Sequence, residues 1–383
     1  MKNVLLVFGG ESYEHDISIV TAFQVYKKSR LDDIKLHLLY ISRDGKFFVC
    51  DGTKLNIADF SRLNFSPRMR GVKEIVFVCG EKGKLFAKTR FGLREFLCAE
   101  IAIFACHGGD GENGKLVSFF ESHGIACSAG STNALAVCMD KFLFKSVAKG
   151  MNIPVVAGFK LSELEFTQNK KELAHRLARI GFPVIIKINS GGSSIGLFVA
   201  KDINEFTTKI TQAFEFDSEV LIEKFIENTR EFNIAVLGDG QKYEISEIDE
   251  PIKSENILSF SDKYLRGGGK GKNQKGSMSL GLKNKSLDLN EFVIKKMKQI
   301  AEKVFVKLGL FGVVRIDFLY DEVHDKIYVC EVNAIPGSLA FYFFRKNRIV
   351  TNDLIYRLIE IAERNYYSSK VKTEFVVDIL TEK

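Results

Sequence analysis

Short apolar runs alternate with helical patterns along the first third of the chain, and this alternation limits the possible folds more than any other feature. The runs are Val4–Phe8, Leu36–Ile41, Glu74–Cys79 and Ile101–Cys106, each rich in Val, Ile, Leu or Phe and bounded by polar or glycine residues. A helical pattern over Ile17–Lys28 separates the first two runs. Such an alternation is typical of a parallel sheet covered by helices. We therefore predict an α/β fold that begins with a parallel-sheet domain.

The rest of the chain predicts two further units. A helix is expected over Ala134–Lys149, and strands then alternate with helices. Beyond Glu231 the strands follow one another directly, and the last pair, 312–320 and 326–333, has the pattern of a hairpin. The predicted domains are an N-terminal α/β substrate-binding domain at 1–131, a small central α+β unit at 132–222 and a large C-terminal unit at 223–383 with a mobile loop at 254–286.

Composition excludes several classes of protein. At 383 residues the chain is too long for one compact core, and its 46% hydrophobic and 27% charged residues are ordinary for a globular protein. Because no apolar run approaches the roughly 18 residues of a membrane span, no membrane partner is expected. Seven cysteines without a C-x-x-C pair indicate reduced thiols in the cytoplasm, and neither disulfides nor zinc.

The positive charge of the chain is concentrated in one segment. The net charge is +7, and the residues from Lys263 to Ser286 include no acidic side chain. Such a cluster suits either a nucleic acid or a phosphate-rich small ligand. Apart from Tyr264 the segment has no interleaved aromatic residue, which disfavours nucleic acid. Its basic residues are Lys263, Arg266, Lys270, Lys272, Lys275, Lys283 and Lys285.

The C-terminal hairpin predicts a polar cluster on one face of a sheet. Arg315 and Asp317 are two residues apart on the first strand, as are Glu331 and Asn333 on the second. Because residues two apart share a face, two carboxylates, an amide and a guanidinium should converge. Hard oxygen ligands of this kind suit magnesium. A solvated face with a cross-strand ion pair is the alternative.

A glycine- and serine-rich loop follows the predicted strand that carries Lys187. Residues 191–196 contain three glycines, together with the hydroxyls of Ser193 and Ser194. Glycines allow backbone N–H groups to turn toward a phosphate. The loop does not match the P-loop pattern, and a simple turn is the alternative.

A charged pair, Glu223 and Lys224, follows the apolar part of the next predicted strand. In a functional interpretation this strand end is a nucleotide hinge whose backbone pairs with the adenine edge. Glu231 would then accept hydrogen bonds from the ribose hydroxyls. An ordinary strand end is the alternative.

Two glycine-containing turns follow strands of the first domain. Residues 8–19 place Glu14 before a helix, and residues 105–114 carry His107. Ligands of open parallel sheets bind at the carboxyl ends of the strands, where both turns are expected. Ordinary structural turns are the alternative. The first turn, which follows the first predicted strand, lacks the G-x-G-x-x-G pattern, and this disfavours a nicotinamide dehydrogenase.

Eight motifs occur together, and in this order and spacing they resemble the D-alanine–D-alanine ligase family of the ATP-grasp fold. The resemblance extends from about residue 3 to residue 366. It implies an ATP-grasp fold of three domains, the first a parallel-sheet (pre-ATP-grasp) domain. The motifs are FGGESYEHDISI, HGGDGENGKL, CMDK, SGGSSIG, VLIEKFI, DKYL, RIDF and EVNAIPGS.

The resemblance implies an ADP-forming ligase that joins two D-alanines through an acylphosphate, for peptidoglycan precursor synthesis. ATP, D-alanine and two Mg²⁺ (or Mn²⁺) ions are the expected ligands, and a cytoplasmic homodimer is expected. A related ligase with another second substrate, such as D-lactate, is the alternative. Tyr264, retained in the DKYL motif, favours an amide product over an ester.

The same resemblance implies roles for individual residues. Glu14 should hold the ammonium of the first D-alanine, with His107 near its carboxylate, and Ser193 and Tyr264 should bond to Glu14. The oxyanion donors are expected to be Arg315 and the backbone of Gly337. The expected metal ligands are Asp317, Glu331 and Asn333. The expected nucleotide ligands are Lys141, Lys187, Ser193, Ser194, Glu223, Lys224, Ile226, Glu231 and Lys263.

The sequence departs from the family pattern at three places. Ile188 stands where proline is usual, and Gly191 stands where a glutamate is common. After Asn333 the usual N-T-S-P-G-M-T is replaced by AIPGSLA. In the family this stretch helps to bind the carboxylate of the second substrate, and Ser338 is the hydroxyl ligand expected here.

Overall fold

The computed structural model describes residues 1–189, 191, 196–251, 288–345 and 347–368 of the chain. Four of the expected site residues, Ser193, Ser194, Lys263 and Tyr264, lie outside these ranges, as does the loop predicted at 254–286. Within the described ranges, no helix is both long enough and apolar enough to cross a membrane.

The first unit is built on an eight-stranded sheet with the strand order β6-β5-β4-β3-β2-β1-β7-β8. Its elements are β1 Lys2–Gly9, α1 His15–Lys28, β2 Ile34–Ile41, β3 Phe47–Cys50, β4 Val72–Phe77, β5 Lys84–Thr89, β6 Gly92–Cys98, β7 Ile101–Phe104, α2 Lys115–Ser122 and β8 Ala126–Cys127. The predicted parallel arrangement is confirmed for β2, β1, β7 and β8. Because β1 and β7 are parallel neighbours, the turns that follow them lie at the same edge of the sheet, as predicted.

The other half of this sheet is antiparallel, so the sheet as a whole is mixed. The run Glu74–Cys79 does form a strand, β4, but β4 pairs with antiparallel neighbours on both sides. The sequence did not predict β3, β5 and β6. Strand β6 is exposed along almost its whole length, and its sequence lacks the long apolar run by which the other strands were predicted.

The second unit has a four-stranded antiparallel sheet with the order β11-β10-β12-β9. Its elements are α3 Thr132–Met139, α4 Lys141–Gly150, β9 Gly158–Ser162, α5 Glu163–Gln168, α6 Lys170–Ile180, β10 Val184–Ile188, β11 Leu197–Ala200, α7 Ile203–Phe214 and β12 Glu219–Lys224. A hydrophobic cluster of its own lies beneath this sheet and includes Phe159, Val184, Phe206 and Ile222.

The single helix predicted over Ala134–Lys149 is wrong, because the chain forms two helices that meet at Asp140. This residue has an extended backbone, with φ −82° and ψ 106°, and its carboxylate accepts a hydrogen bond from Leu143 N. Aspartate is a preferred N-cap because it satisfies an otherwise unpaired N–H of the first turn. The break starts α4 at Lys141 and brings the amide of Phe142 within 3.1 Å of Asn189 Oδ1, just after β10.

The third unit has a second four-stranded antiparallel sheet, ordered β14-β13-β15-β16. Its elements are β13 Thr229–Gly238, β14 Tyr243–Asp249, α8 Glu291–Lys307, β15 Gly312–Asp321, β16 Lys326–Asn333 and α9 Thr351–Ser368. The predicted hairpin is confirmed as β15 and β16. The largest hydrophobic cluster joins this unit to the first sheet and also takes in Phe144 and Ala148 of α4.

Candidate active site

The β15–β16 hairpin brings together the four polar residues predicted to share a face. Asp317 pairs directly with Glu331, and Arg315 pairs with Asn333. The intervening Ile316 is fully buried on the opposite face. This alternation confirms the predicted convergence of two carboxylates, an amide and a guanidinium.

Asp317 is the centre of the hydrogen bonding on this face. Arg315 donates from Nε to Oδ1 at 2.7 Å and from a terminal nitrogen to Oδ2 at 2.8 Å. Asn333 Nδ2 donates to Oδ2 at 3.1 Å. With its amide oriented to satisfy its neighbours, Asn233 of β13 donates to Oδ1, also at 3.1 Å. The carboxylate is therefore held in a fixed orientation by groups from three adjacent strands.

A buried charge cluster lies at the end of the central sheet. Glu223 of β12 is 1% exposed, and its Oε2 lies 2.8 Å from Lys187 Nζ. Its other oxygen, Oε1, lies 2.5 Å from Nζ of Lys145 on α4. Burial alone would raise the pKa of Glu223, but the two ammonium groups outweigh burial and hold the pKa below its ordinary value.

Lys141 and Lys187, the two lysines expected at the phosphates, come from different elements, α4 and β10. Lys141 Nζ donates to the carbonyl of Gly191, the described residue of the glycine–serine loop. Burial lowers the pKa of Lys141, although the charge of Glu331 acts against this. Lys187 Nζ also lies 3.8 Å from Cys330 Sγ on β16. The two ammonium groups therefore sit between the central and C-terminal sheets.

A cleft joins groups from all three units of the chain. Glu14 and His107 come from turns of the first unit, and Lys141 comes from the second. The third unit contributes the polar face of the hairpin and the backbone that follows it. The residues that line the cleft are Glu14, His107, Glu112, Cys138, Met139, Lys141, Gly191, Arg315, Glu331, Val332, Asn333, Ala334, Ile335 and Gly337.

The Glu14 turn and the His107 turn pack directly against each other. Ser12 Oγ donates to the His107 carbonyl at 2.6 Å and accepts from Glu14 N at 2.8 Å. Gly108 has φ +68°, and a Cβ there would lie 2.6 Å from Ser12 Oγ and 3.0 Å from Glu14 Oε2. A side chain at this position would overlap Ser12 and crowd the Glu14 carboxylate, and the left-handed backbone also favours glycine.

A hydrogen-bond network that the sequence did not predict links α1 to His107 and to the turn after β16. Thr21 Oγ1 lies 2.9 Å from His107 Nε2 and accepts from Ser338 N at 3.1 Å. Ser338 Oγ donates to Gln24 Oε1 at 2.5 Å. Ser338, Leu339 and Ala340 have positive φ values of 55°, 50° and 49°, a conformation that side chains disfavour and that these contacts help to hold.

In this structure the network engages the Ser338 hydroxyl, which was expected to bind the carboxylate of the second substrate. Ser338 is fully buried, and its hydroxyl hydrogen is already donated to Gln24. The buried Ser338 side chain anchors the turn in which Gly337 lines the cleft. Tyr342, which follows on the same segment, lies close to Arg315, and burial raises the pKa of its phenol to about 12.

The other residues expected at the nucleotide surround the end of β12. Lys224 Nζ donates to the carbonyls of Phe182 at 2.9 Å and Gly181 at 3.3 Å, so it ties β12 to the loop before β10. Ile226 lies just beyond the strand and is half-buried. Glu231 lies on β13, opposite Leu319 of β15. The Lys224 side chain is thus bonded within the protein, and its backbone N–H donates to the Ala157 carbonyl at 3.0 Å.

The fold and the cleft together define an ATP-grasp protein, in which two antiparallel sheets adjoin a site lined by lysines and carboxylates. Comparison with known families agrees. Residues 3–130 match the family described as D-ala D-ala ligase N-terminus, and residues 147–360 match D-ala D-ala ligase C-terminus. The chain belongs to the D-alanine–D-alanine ligase family, as the sequence motifs predicted.

Individual relatives match along most of their length. A D-alanine–D-alanine ligase of Nitratiruptor sp. is 34% identical over 353 residues, which cover 91% of this chain and 92% of the relative. That of Campylobacter lari is 31% identical over 349 residues, which cover 91% of each. The structure of the D-alanine–D-alanine ligase from Coxiella burnetii superposes with a TM-score of 0.76 at 25% identity, covering 96% of this chain and 95% of that one.

Proposed function

We propose that the chain joins two molecules of D-alanine into D-alanyl-D-alanine, with conversion of ATP to ADP and phosphate, for the synthesis of peptidoglycan precursors. The observation that carries this proposal is the shared cleft. Glu14 can bind an ammonium group, and it lies in the same cleft as Lys141 and Arg315, which can bind phosphate. An amino acid bound at Glu14 would direct its carboxylate toward these cations and His107.

The hairpin face fits a divalent cation, Mg²⁺ or Mn²⁺. Asp317, Glu331 and Asn333 offer hard oxygen donors on one face. In the part of the chain that the structure describes, no three His, Cys, Asp or Glu side chains meet as a metal site, so the third ligand would be the Asn333 amide. Two such ions, when bound at these residues, would offset the negative charge of the phosphates.

The first chemical step activates the carboxylate of the first D-alanine. A carboxylate is a poor acylating agent because its leaving group would be oxide. Transfer of the γ-phosphoryl group to a carboxylate oxygen gives an acylphosphate and ADP, and the leaving group then becomes phosphate. Phosphoryl transfer depends mainly on positioning and on neutralisation of charge. Lys141, Lys187 and Arg315 provide the cationic groups of the chain for this step.

The second step forms the amide bond. The second D-alanine must attack as a free amine, so its ammonium group first gives a proton to water. The amine then attacks the acylphosphate carbonyl, a C–N bond forms, and the nitrogen gives a second proton to water. The tetrahedral intermediate carries an oxyanion, for which the Arg315 guanidinium and the Gly337 N–H are the proposed donors. Collapse of the intermediate breaks the bond to phosphate and releases the dipeptide.

The nucleotide is proposed to lie between the central and C-terminal sheets. Lys141 and Lys187 would contact its phosphates, while Glu223 and the backbone from Lys224 to Ile226 would meet the adenine. Glu231 would accept hydrogen bonds from the ribose. The position of these groups around one strand end, between the two antiparallel sheets, supports this placement.

Phosphate release tests the proposal. The enzyme, ATP and magnesium would be incubated with a panel of D- and L-amino acids and with D-alanine plus D-lactate. We expect release with D-alanine alone and an amide product by mass spectrometry. A dominant ester with D-lactate, or release that requires a different second amino acid, would identify a related ligase instead. The absence of release with every substrate would contradict ligation.

A further inference from the structure

Lys145 is a buried lysine that lies outside the proposed contacts to ATP and D-alanine. It lies one helical turn after Lys141 on α4, is 3% exposed, and places Nζ 2.5 Å from Glu223 Oε1. Because Lys187 contacts the other oxygen of the same carboxylate, two ammonium groups share one anion. Glu223 therefore has two close cations, one at each carboxylate oxygen, although one would neutralise its charge.

We propose that Lys145 is a positioning residue that acts as the permanent counter-ion of Glu223, whereas Lys187 is the exchangeable one. This inference rests on the proposed function, in which Lys187 turns toward a nucleotide phosphate and Glu223 meets the adenine. When Lys187 is drawn to the phosphate, Lys145 keeps the Glu223 carboxylate ionised and in place.

The energetics of a buried anion require such a partner. A carboxylate that loses its counter-ion in the protein interior becomes strongly unfavourable and either takes up a proton or moves toward water. Both outcomes would remove the acceptor that an adenine amino group needs. With Lys145 present, Glu223 retains one close cation throughout the binding of nucleotide.

The geometry distinguishes the two lysines. The Lys145 side chain is 4% exposed, and the helix that carries it is anchored in the large core through Phe144 and Ala148. The Lys187 side chain is 11% exposed and reaches across to Cys330 on the C-terminal sheet. Lys187 therefore borders the space between the two sheets, while Lys145 approaches Glu223 from the core side.

Two atoms of the cluster also lack a hydrogen bond. Among the residues described, Lys145 Nζ and Glu223 Oε1 are buried side-chain atoms without a hydrogen-bond partner, because their close contact is poorly aligned. The two atoms nevertheless lie 2.5 Å apart and carry opposite charges, so Lys145 and Glu223 are direct electrostatic partners. The amino group of adenine can donate to the Glu223 carboxylate, whereas the 6-oxo group of guanine cannot.

The test compares Lys145→Met with Lys145→Arg in the full-length protein. We expect Lys145→Met to raise the KM for ATP at least 10-fold, with a smaller change in kcat and in the KM for D-alanine. Its preference for ATP over GTP should also fall. Lys145→Arg, which keeps the charge, should restore most of both properties.

A matched control lies on the same sheet. Lys160 of β9 pairs with Glu219 of β12 at 2.7 Å, but the pair is partly exposed. Lys160→Met also removes a lysine that is paired with a glutamate of β12. We expect it to leave the KM for ATP and the preference over GTP unchanged, because exposed ion pairs contribute little.

A double-mutant cycle identifies the partner. In a Glu223→Gln background Lys145→Met should have little further effect on the KM for ATP, because no anion remains to be held. If Lys145→Met does not fold, the Lys145→Gln variant takes its place in the same cycle, and the same results are expected of it.

The results that would overturn the inference are distinct from those that would contradict the ligase function. A neutral variant with a lower Tm but the KM and nucleotide preference of the wild type would show that Lys145 has only a structural role. Additive effects in the cycle would show that it acts independently of Glu223. If the wild type released no phosphate, the proposed ligase function would be contradicted. Nucleotide binding by the same variants would then be compared through the increase in Tm that ATP causes.

Discussion

Arg315 and Asp317 form a two-pronged ion pair within a single strand, with Nε–Oδ1 and Nη–Oδ2 distances of 2.7 and 2.8 Å. Both oxygens of a proposed metal ligand are therefore bound to the proposed oxyanion donor. Binding of a divalent cation at Asp317 would compete with the guanidinium and release it toward the phosphate. The proposed metal site and the proposed oxyanion donor thus share one carboxylate, that of Asp317.

The metal assignment predicts the behaviour of two alanine variants. Asp317→Ala and Glu331→Ala should each reduce phosphate release to background while the protein remains folded, because the cation loses a ligand and the triphosphate charge stays unopposed. The measurement is D-alanine-dependent phosphate release at saturating magnesium, with circular dichroism to verify the fold. Asp325→Asn, in the turn of the same hairpin, is the control and should retain activity. Wild-type turnover in either alanine variant would falsify the metal assignment.

The guanidinium of Arg315 is expected to matter for its shape as well as its charge. Arg315→Lys keeps the charge but cannot form the two-pronged contact with Asp317. Loss of an oxyanion donor typically lowers kcat by about 100- to 1,000-fold. We expect a loss near this range in Arg315→Lys, with a much smaller change in the KM for ATP. A kcat within about twofold of wild type would exclude Arg315 as the oxyanion donor.

The Thr21 hydroxyl is expected to position two parts of the cleft at once, since it contacts both His107 and the backbone of Ser338. Thr21→Val has nearly the same shape but leaves a buried N–H without its acceptor, at a cost of about 1–3 kcal/mol. We expect kcat/KM for D-alanine to fall roughly 10-fold or more, which corresponds to about 1.4 kcal/mol.

Two variants separate this effect from a general disturbance of α1. Thr21→Ser retains the hydroxyl and should recover most of the activity. Ser29→Ala removes a hydroxyl bond to Val25 at the other end of the helix and should leave kcat/KM unchanged. If Thr21→Val has the kinetics of wild type, the network does not position the substrate.

The sequence was most informative where local pattern determines structure. Alternation along 312–333 was sufficient to place Arg315 with Asp317, and Glu331 with Asn333, on one face each, because a period of two fixes which side chains share a face. It placed Asp317 only within a register step or two of Glu331, because the irregularity in pairing between Asp317 and Phe318 leaves no mark in the alternation. The break at Asp140 was missed even though aspartate is a common N-cap, because the apolar pattern continues on both sides of it. An N-cap residue marks the start of a helix clearly only when the spacing of apolar residues also changes at that point.

Contacts between distant segments could not be predicted in the same way. Thr21 and Ser338 are 317 residues apart, and nothing in their local sequence indicates that they meet. Lys145 follows Lys141 by one helical turn, and its local sequence does not distinguish it from an exposed lysine. Only the tertiary structure places it against Glu223. The motifs identified the family, and alternation identified the polar face of the hairpin, whereas these supporting contacts depend on how the units pack.

The stability of the first unit is expected to fall in mild acid because of His37. This residue lies on β2, and its Nε2 is 2.9 Å from Asn3 Oδ1 on β1. Burial lowers the pKa of His37 from 6.5 to about 4, and Lys35 acts in the same direction. Between these two pKa values His37 binds a proton more readily in the unfolded chain than in the folded one. The stability that neutral His37 contributes is therefore fully present above about pH 6.5 and is lost as the pH falls toward 4.

The measurement is the Tm of the wild type and of His37→Gln between pH 7 and pH 5. Glutamine can still donate to Asn3 but does not titrate, so the decrease in Tm on acidification should be smaller in the variant. Part of the decrease should remain, because burial also lowers the pKa of His15. His175→Gln, an exposed position on α6, should leave the wild-type pH dependence unchanged. Equal decreases in the wild type and His37→Gln would show that protonation of His37 is not coupled to unfolding.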